Sequence, residues 1–293
     1  MSGNTPNSAL LADGRLHLQH GPIDLIIEAW GERAEVATAY QQASARFHDV
    51  LEVLVQELAQ LRAPLAGAYP LLRGPVARRM LAACWPHRAI YITPMAAVAG
   101  AVADEILQAM LTGRDLLKAY VNNGGDIALH LAQGAELTLG VVNNADNPAI
   151  DATVRLAAFM PVRGLATSGW RGRSQSLGIA DAVTVFAADA AAADAAATMV
   201  ANAVNVEHPA ITRARACELR ADSDLGDLPV TVAVGALPAS ARAAALEKGC
   251  ERAQELQRQG LIYAAYLALQ GEVLAVLPAG TLVAQAVHRT VGG

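Results

Sequence analysis

A carboxylate and a hydroxyl stand four residues apart in an alanine-rich segment near the middle of the chain, where Asp194 and Thr198 frame the sequence DAAAT. A helix would carry both side chains on one face. Mg²⁺ takes oxygen ligands of these kinds and completes its shell with water or substrate phosphates, so the spacing predicts a magnesium site. A second interpretation stays open: Asp189 caps the helix, Asp194 faces solvent, and Thr198 bonds to the carbonyl one turn back.

Polar residues that could hold an anion come shortly before this helix. A strand-like stretch, residues 163–168, ends in Thr167 and Ser168, and Gly169 then opens a loop of Gly, Ser and Arg up to Gly178. Guanidinium groups bind phosphate or carboxylate through two hydrogen bonds, so the loop predicts an anion contact. An exposed loop without a ligand is the alternative. The loop residues predicted to contact the anion are Arg171, Arg173, Ser174 and Ser176.

The sequence NNGGD, residues 122–126, joins two strand-like segments. Asn-Gly and Gly-Gly favour a tight hairpin turn because positive φ is needed there. The turn is either a plain hairpin connection or a loop that presents Asn122, Asp126 and the backbone N–H groups of Gly124 and Gly125 to a ligand.

Composition narrows the class of protein. Of the 293 residues, 54% are hydrophobic and 4% aromatic, so a sizeable core must pack on Ala, Val and Leu. A net charge of −5 argues against a nucleic-acid-binding surface, which is usually basic. The three cysteines show neither zinc spacing nor a disulfide pattern, which favours a reducing compartment. No secretory signal or uncharged apolar run of ~18 residues stands out, so we expect a cytoplasmic protein without a membrane contact.

Strands come in runs rather than in strict alternation with helices, which favours the α+β class. We expect residues 1–14 to form a disordered tail and residues 15–293 a single domain. Predicted strands cover residues 14–29 as a hairpin, 89–93, 116–121, 127–131, 136–142, 152–159, 163–168, 181–187, 229–234 and 260–277 as a second hairpin. Predicted helices cover residues 33–61, 76–83, 95–110, the alanine-rich segment after 187, 208–217 and 239–258.

Three local features carry further expectations. Gly100 lies among alanines on a predicted helix, so another element should lie close against that face. The acidic segment 222–227 loosely resembles a calcium loop, but its Gly and Glu positions do not fit. A basic cluster is either a solvated face or an anion contact, and it consists of Arg73, Arg78, Arg79, His87 and Arg88.

Four stretches in order carry a resemblance to a known family. They are residues 93–105 (TPMAAVAGAVADE), 121–127 (VNNGGDI), 165–169 (LATSG) and 193–198 (ADAAAT). In this order they resemble the ApbE superfamily, and more closely its ApbE-like, UPF0280-type family of bacterial and archaeal proteins. The resemblance implies a T-fold-like α+β fold of antiparallel sheets packed with helices.

The same resemblance implies a chemistry, because ApbE enzymes are Mg²⁺-dependent flavin transferases that bind FAD and attach FMN to a partner protein. Position by position, Asp194 and Thr198 would ligate the metal. The nucleotide pocket would be lined by Asn122, Gly124, Gly125 and Asp126, with Thr167, Ser168 and Gly169 beside the phosphates and Asp104 on the adenine-ribose side. The histidine-containing stretch of the family is replaced here by residues 170–178 (WRGRSQSLG), so we expect flavin transfer to protein not to be the reaction.

The resemblance leaves the ligand open. We expect a flavin (FAD or FMN), a nucleotide or a pterin with anionic groups, bound with Mg²⁺ by an enzyme or by a ligand-binding protein. An enzyme of tetrahydromethanopterin-type cofactor synthesis and a non-catalytic assembly protein are the alternatives. Sites of T-fold proteins often lie between subunits, so a homo-oligomer is expected.

Overall fold

The computed structural model describes residues 5–141 and 152–278. It is α+β, with antiparallel sheets packed against helices, as predicted. The strands are β1 Asn7–Leu10, β2 Leu16–His20, β3 Ile23–Gly31, β4 Leu116–Asn123, β5 Asp126–Leu131, β6 Glu136–Val141, β7 Ala152–Ala157, β8 Gly164–Ser168, β9 Ala182–Ala187, β10 Ile211–Arg215, β11 Pro229–Val234, β12 Ala264–Leu269 and β13 Glu272–Val276. The α-helices are α1 Arg33–Phe47, α2 Val50–Gln56, α3 Leu58–Leu61, α4 Pro75–Cys84, α5 Val98–Leu111, α6 Ala190–Ala203, α7 Ala216–Leu219 and α8 Ala239–Arg258, and the 3₁₀ helices are Trp85–His87 and Pro94–Ala97.

The main sheet has nine strands in the order β1-β2-β3-β4-β5-β8-β9-β12-β13, and every neighbouring pair is antiparallel. Strands β2 and β3 alternate between buried and more exposed side chains, the pattern of strands with one face on a core. Strand β9 is buried at all six positions, because its two faces contribute to different hydrophobic clusters. Two further antiparallel pairs, β6–β7 and β10–β11, lie outside this sheet.

Helices α5 and α6 form the centre of the helical layer. The Gly100 face of α5 lies against the start of α6, where a Cβ on Gly100 would collide with the backbone of Ala190. The expectation that another element covers this alanine-rich face is therefore confirmed. The helical stretch Pro94–Leu111 is long and apolar enough to span a membrane by length and composition alone, but half of it is buried within the fold. Contacts with α1, α4, α6, β4 and β5 identify it as a core helix of a globular domain.

Two predicted segments near the N-terminus differ in the structure. Residues 7–10, expected in a disordered tail, form β1 and pair with β2; all four side chains are exposed, so no alternation marked the strand. The single helix predicted over 33–61 is three helices, interrupted at His48–Asp49 and at Glu57. Phe47 and Val50 are both buried, one on each side of the interruption at His48–Asp49. The apolar spacing therefore continues across the interruption and gave no sign of it.

Two later segments also differ. Residues 89–93 form no strand. The backbone N–H of Leu65 donates to the Ile92 carbonyl (2.9 Å), but this bond is not part of a series of hydrogen bonds between two strands. The helix predicted over 208–217 is instead a turn, then β10 paired with β11, then the short helix α7. Pairing between residues so far apart in sequence leaves no local signal. The other predicted elements are confirmed, while the turn expected at 143–148 lies outside the described residues.

We predict that Gly100→Ala lowers the free energy of unfolding by about 2 kcal/mol or more, because the added methyl group overpacks the contact with the α6 backbone. Gly235→Ala is the matched control, since its Cβ would meet atoms no closer than 3.4 Å. Chemical denaturation of both variants measures the difference. Equal losses in the two variants would contradict the close approach of α5 and α6.

Candidate functional site

A cavity of about 530 Å³ opens between the β4–β5 turn, the end of β8, the loop that follows β8, and helix α6. Most of the residues that the sequence singled out meet in its wall, although they come from three separate parts of the chain. These residues are Asn122, Gly124, Gly125, Asp126, Thr167, Ser168, Gly169, Arg171, Arg173, Ser174, Asp194 and Thr198. The antiparallel order β4-β5-β8-β9 brings the first two stretches to one end of the sheet, and the packing of α6 against β8 and β9 adds the third.

The start of α6 is fixed by two carboxylates. Asp189 is the N-cap, and its Oδ1 accepts a hydrogen bond from the Ala192 N–H (2.7 Å), as one interpretation of the sequence predicted. Asp104 on α5 accepts from the Ala190 and Ala191 N–H groups (3.0 and 2.9 Å). Acceptors at these orphan donors stabilise the helix N-terminus.

Asp104 is therefore not brought together with the other predicted site residues. It is absent from the described residues that line the cavity, and burial together with Asp189 raises the pKa of its carboxyl to about 6. Ser176 is a second departure: it is buried, and its hydroxyl bonds to Asn202 Oδ1 (3.3 Å) and accepts from the Gly178 N–H. Both side chains are committed to internal hydrogen bonds that the sequence pattern did not reveal.

Asp194 points from α6 toward the N-terminus of α5, where its Oδ2 accepts a hydrogen bond from the Gly100 N–H (3.1 Å). The side chain is half-buried in the cavity wall, so the interpretation that it faces solvent is wrong. Thr198 lines the cavity one turn further along the helix, and within the described chain its hydroxyl makes no hydrogen bond to the Asp194 carbonyl. The two side chains share one face of α6, as their spacing predicted.

Asp126 lies across the cavity from α6, at the start of β5. Its Oδ1 accepts from the Thr167 N–H (3.2 Å), which joins the β4–β5 turn to the end of β8. Burial raises the pKa of Asp126 to about 7, against the opposing effects of the Thr167 hydrogen bond and the Arg173 charge. Burial and the Asp126 charge raise the pKa of Asp194 well above its usual range. The carboxyls of Asp126 and Asp194 are therefore close enough to repel each other when both are ionised.

The donor set of the cavity suits a hard cation. Neither Asp126 nor Asp194 forms a salt bridge with a described residue, although the Arg173 charge acts on Asp126, so a bound cation would balance the negative charge that remains. The oxygens of Asp126, Asp194 and Thr198 are the ligand type that Mg²⁺ takes. No group of three or more His, Cys, Asp or Glu side chains with metal-binding geometry occurs among the described residues. Water and a ligand phosphate would complete the shell, which is the usual arrangement for Mg²⁺.

The two arginines of the loop after β8 have different environments. Arg171 donates from Nε to Asp181 Oδ1 (2.8 Å) and stacks over the Trp170 ring, 4.5 Å from its centroid. Arg173 is exposed, and its guanidinium lies so close to Gly124 that a Cβ there would collide with Nη2. Arg171 is thus held by the protein, whereas Arg173 covers the β4–β5 turn at the cavity.

The β4–β5 connection is a hairpin turn, as one interpretation of NNGGD required. Gly124 and Gly125 have φ values of +65° and +111°, and the Asn122 side chain accepts from the Gly125 N–H (2.8 Å). The turn also lines the cavity, so the hairpin and a ligand-facing role are compatible. Asp181 is a lining residue that the sequence analysis missed, because a lone aspartate before a buried strand carries no pattern.

Comparison with known proteins assigns the family. A family model described as "AbpE bacteria" matches residues 8–275, and the chain belongs to this family. The chain is 37% identical over 133 residues to a UPF0280 protein of Methanothermobacter thermautotrophicus, which covers 45% of this chain and 50% of the relative. It is 37% identical over 151 residues to a UPF0280 protein of Methanoculleus marisnigri, covering 50% and 54%. The predicted resemblance to the UPF0280-type family is confirmed, and the matched part spans about half the length of these relatives.

Among solved structures, the fold is similar to the apo form of the Pseudomonas stutzeri flavinyl transferase ApbE. The sequence identity is 12% and the TM-score is 0.40, with 94% of this chain and 96% of the other covered.

We predict that Asp126→Asn stabilises the protein in EDTA at pH 8, with a gain that shrinks as the pH falls toward 5. The folded-state pKa of Asp126 is raised from 3.8 to about 7, so the wild type loses stability as the pH rises from about 4 to about 7. Asparagine keeps the oxygen that accepts from Thr167 and carries no charge. Thermal unfolding across this pH range measures the gain, with Asp115→Asn on an exposed loop as the control. A stability difference independent of pH would contradict the assignment.

Proposed function

We propose that the protein binds Mg²⁺ together with a flavin, nucleotide or pterin that bears phosphate or another anionic group. One observation carries the proposal: the carboxyls of Asp126 and Asp194 approach each other across the cavity, and the guanidinium of Arg173 lies over the adjoining β4–β5 turn. A metal ion at the carboxyls would balance their negative charge. A phosphate between that metal and Arg173 would balance the positive charge of the guanidinium. Membership in the ApbE-like family supports the same ligand class.

Asp194, Thr198 and Asp126 would hold the magnesium. When bound, Mg²⁺ supplies Lewis-acid polarisation of a phosphate oxygen and neutralises charge on the anion. The chain contributes orientation: the Gly100 N–H holds one oxygen of Asp194 in place, and the Thr167 N–H does the same for Asp126. Fixed carboxylates of this kind reduce the cost of organising the site when the cation enters.

Arg173 would provide the anion contact. Its guanidinium carries a positive charge at all physiological pH values and can bind phosphate through two hydrogen bonds. Arg171 is already engaged by Asp181 and Trp170, so we assign it to shaping the loop. Ser168 and Ser174 also line the cavity and carry hydroxyl donors, while the Thr167 hydroxyl shares a hydrogen bond with the Thr184 hydroxyl (2.8 Å).

The proposal does not extend to flavin transfer onto a protein. No histidine is among the described residues that line the cavity, and the loop after β8 lacks the histidine stretch of ApbE transferases. We also propose that the protein acts in the cytoplasm, supported by three free cysteines, and as a homo-oligomer, which light scattering tests. A pterin in the ligand panel tests the alternative role in tetrahydromethanopterin-type cofactor synthesis.

We predict that Mg²⁺ raises the affinity of the full chain for at least one of FAD, FMN, ADP, GTP or a reduced pterin by about tenfold or more relative to EDTA. The reason is that the metal ion would bind both the carboxylates and the phosphate and reduce the repulsion between them. Asp194→Asn should abolish this metal dependence, and Asp115→Asn should leave it intact. Isothermal titration calorimetry measures both. Mg²⁺-independent binding, or no binding of any panel member, would overturn the proposal.

We predict that Gly124→Ala weakens binding of the phosphate ligand severalfold, because the methyl group displaces the Arg173 guanidinium. Gly125→Ala is a matched control: it also places alanine at positive φ, but its Cβ would meet nothing within 4 Å. Titration of the panel ligand in saturating Mg²⁺ compares the two variants. Similar affinities in both variants would argue against an anion contact by Arg173.

A further inference from the structure

One segment outside the cavity holds the loop that carries Arg173. This bracing segment, residues 216–231, comprises α7, the acidic stretch that follows it and the start of β11. No residue of the bracing segment is among the described residues that line the cavity. It nevertheless bonds to the Arg173 loop at three positions.

The first of these bonds reaches Arg173 itself. Arg220 donates from Nη2 to the Arg173 backbone carbonyl at 2.8 Å. The second position is Gln175, whose Nε2 donates to the Ala216 carbonyl (3.0 Å) and whose Oε1 accepts from the Ser223 hydroxyl (2.5 Å). The third is Ser176, whose carbonyl accepts from the Thr231 N–H (2.8 Å). The loop backbone just past Gly172 is therefore fixed from one side.

The bracing segment is itself anchored to the helical layer. Asp222 pairs with Arg62 at the end of α3 (2.7 Å), and the Tyr91 hydroxyl donates to the Asp224 carbonyl (2.6 Å). The Thr93 hydroxyl, just before the 3₁₀ helix that leads into α5, bonds to the Asp224 carboxylate. Asp222 and Asp224 of the bracing segment thus bond to other parts of the protein. This role explains why the acidic stretch resembles a calcium loop but lacks the Gly and Glu positions of one.

We infer that Arg220 is a positioning residue for the anion contact, and this rests on the proposed function of the cavity. The bond from Arg220 sets the backbone from which the Arg173 side chain extends over Gly124. Without it, the exposed guanidinium of Arg173 keeps its charge but samples more orientations, so less of it is preorganised for a phosphate. The carboxylates of Asp126 and Asp194 are held by other donors, so the metal side of the cavity does not depend on Arg220.

The test compares Arg220→Gln, Arg220→Lys and the control Arg215→Gln in the full chain with saturating Mg²⁺. Arg215 is an exposed neighbour that pairs with Glu218 and Asp227 and does not touch the Arg173 loop. We expect Arg220→Gln to weaken binding of ADP or FMN by about three- to tenfold. Arg220→Lys, which keeps a cationic donor, should recover part of the loss. Mg²⁺ affinity measured without nucleotide and the unfolding temperature should stay at the wild-type values in all three.

A ligand-free measurement keeps this inference separate from the proposed function. Hydrogen exchange at the amides of residues 173–178 should be faster in Arg220→Gln than in Arg215→Gln. If the wild type binds no panel ligand, the proposed function and the role of Arg220 in anion binding both fail, while faster exchange still shows that Arg220 holds the loop. If the wild type binds but Arg220→Gln binds equally well, the positioning role alone is overturned. Parallel losses of Mg²⁺ affinity, nucleotide affinity and thermal stability would reduce Arg220 to a structural residue and also overturn it.

Discussion

Helices α5 and α6 each supply a carboxylate that accepts hydrogen bonds from the N-terminal N–H groups of the other helix. The candidate site depends on these reciprocal hydrogen bonds. Asp104 of α5 accepts from the first N–H groups of α6, and Asp194 of α6 accepts from the Gly100 N–H near the start of α5. These reciprocal hydrogen bonds require the helices to be in contact. Gly100 permits this contact because it has no side chain, whereas a Cβ there would collide with the α6 backbone. Each helix end gains an acceptor for its orphan donors, and the two helix dipoles favour the negative charges.

The two carboxylates that form these reciprocal hydrogen bonds, Asp104 and Asp194, have different surroundings. Asp104 is not among the described residues that line the candidate-site cavity, whereas Asp194 lines it and is close enough to Asp126 for the two carboxyls to repel each other. Ionising these carboxyls is costly: burial is the main cause of the raised pKa of both, and the Asp126 charge raises the pKa of Asp194 further. A bound cation would offset this cost. The cavity thus contains two carboxyls that form no salt bridge with a described residue, which is the physical basis of the proposal that magnesium binds there.

How much of this could be predicted from the sequence depends on the range of the interactions. The face shared by Asp194 and Thr198 follows from helical spacing, and the NNGGD hairpin follows from its need for positive φ, so both were accessible. The close contact at Gly100 was also signalled by its alanine neighbours. By contrast, the different environments of Arg171 and Arg173 depend on Asp181 and on the β4–β5 turn, which lie far away in sequence. The hydrogen bonds of Asp104 to Ala190 and of Ser176 to Asn202 could not be predicted, because these partners become neighbours only in the fold.

The central claim is that a metal ion and an anionic ligand occupy the same cavity, and a crystal of the full chain grown with Mn²⁺ and ADP or FMN tests it most directly. Manganese replaces magnesium at oxygen ligands and gives an anomalous signal that locates the ion without reference to the rest of the density. The account predicts an anomalous peak bonded to Asp194 and within reach of Thr198 or Asp126, with a phosphate of the nucleotide bridging that peak and the Arg173 guanidinium. A nucleotide bound elsewhere, or a cavity in which Asp194 contacts the Gly100 N–H and no ion under saturating Mn²⁺, would contradict it.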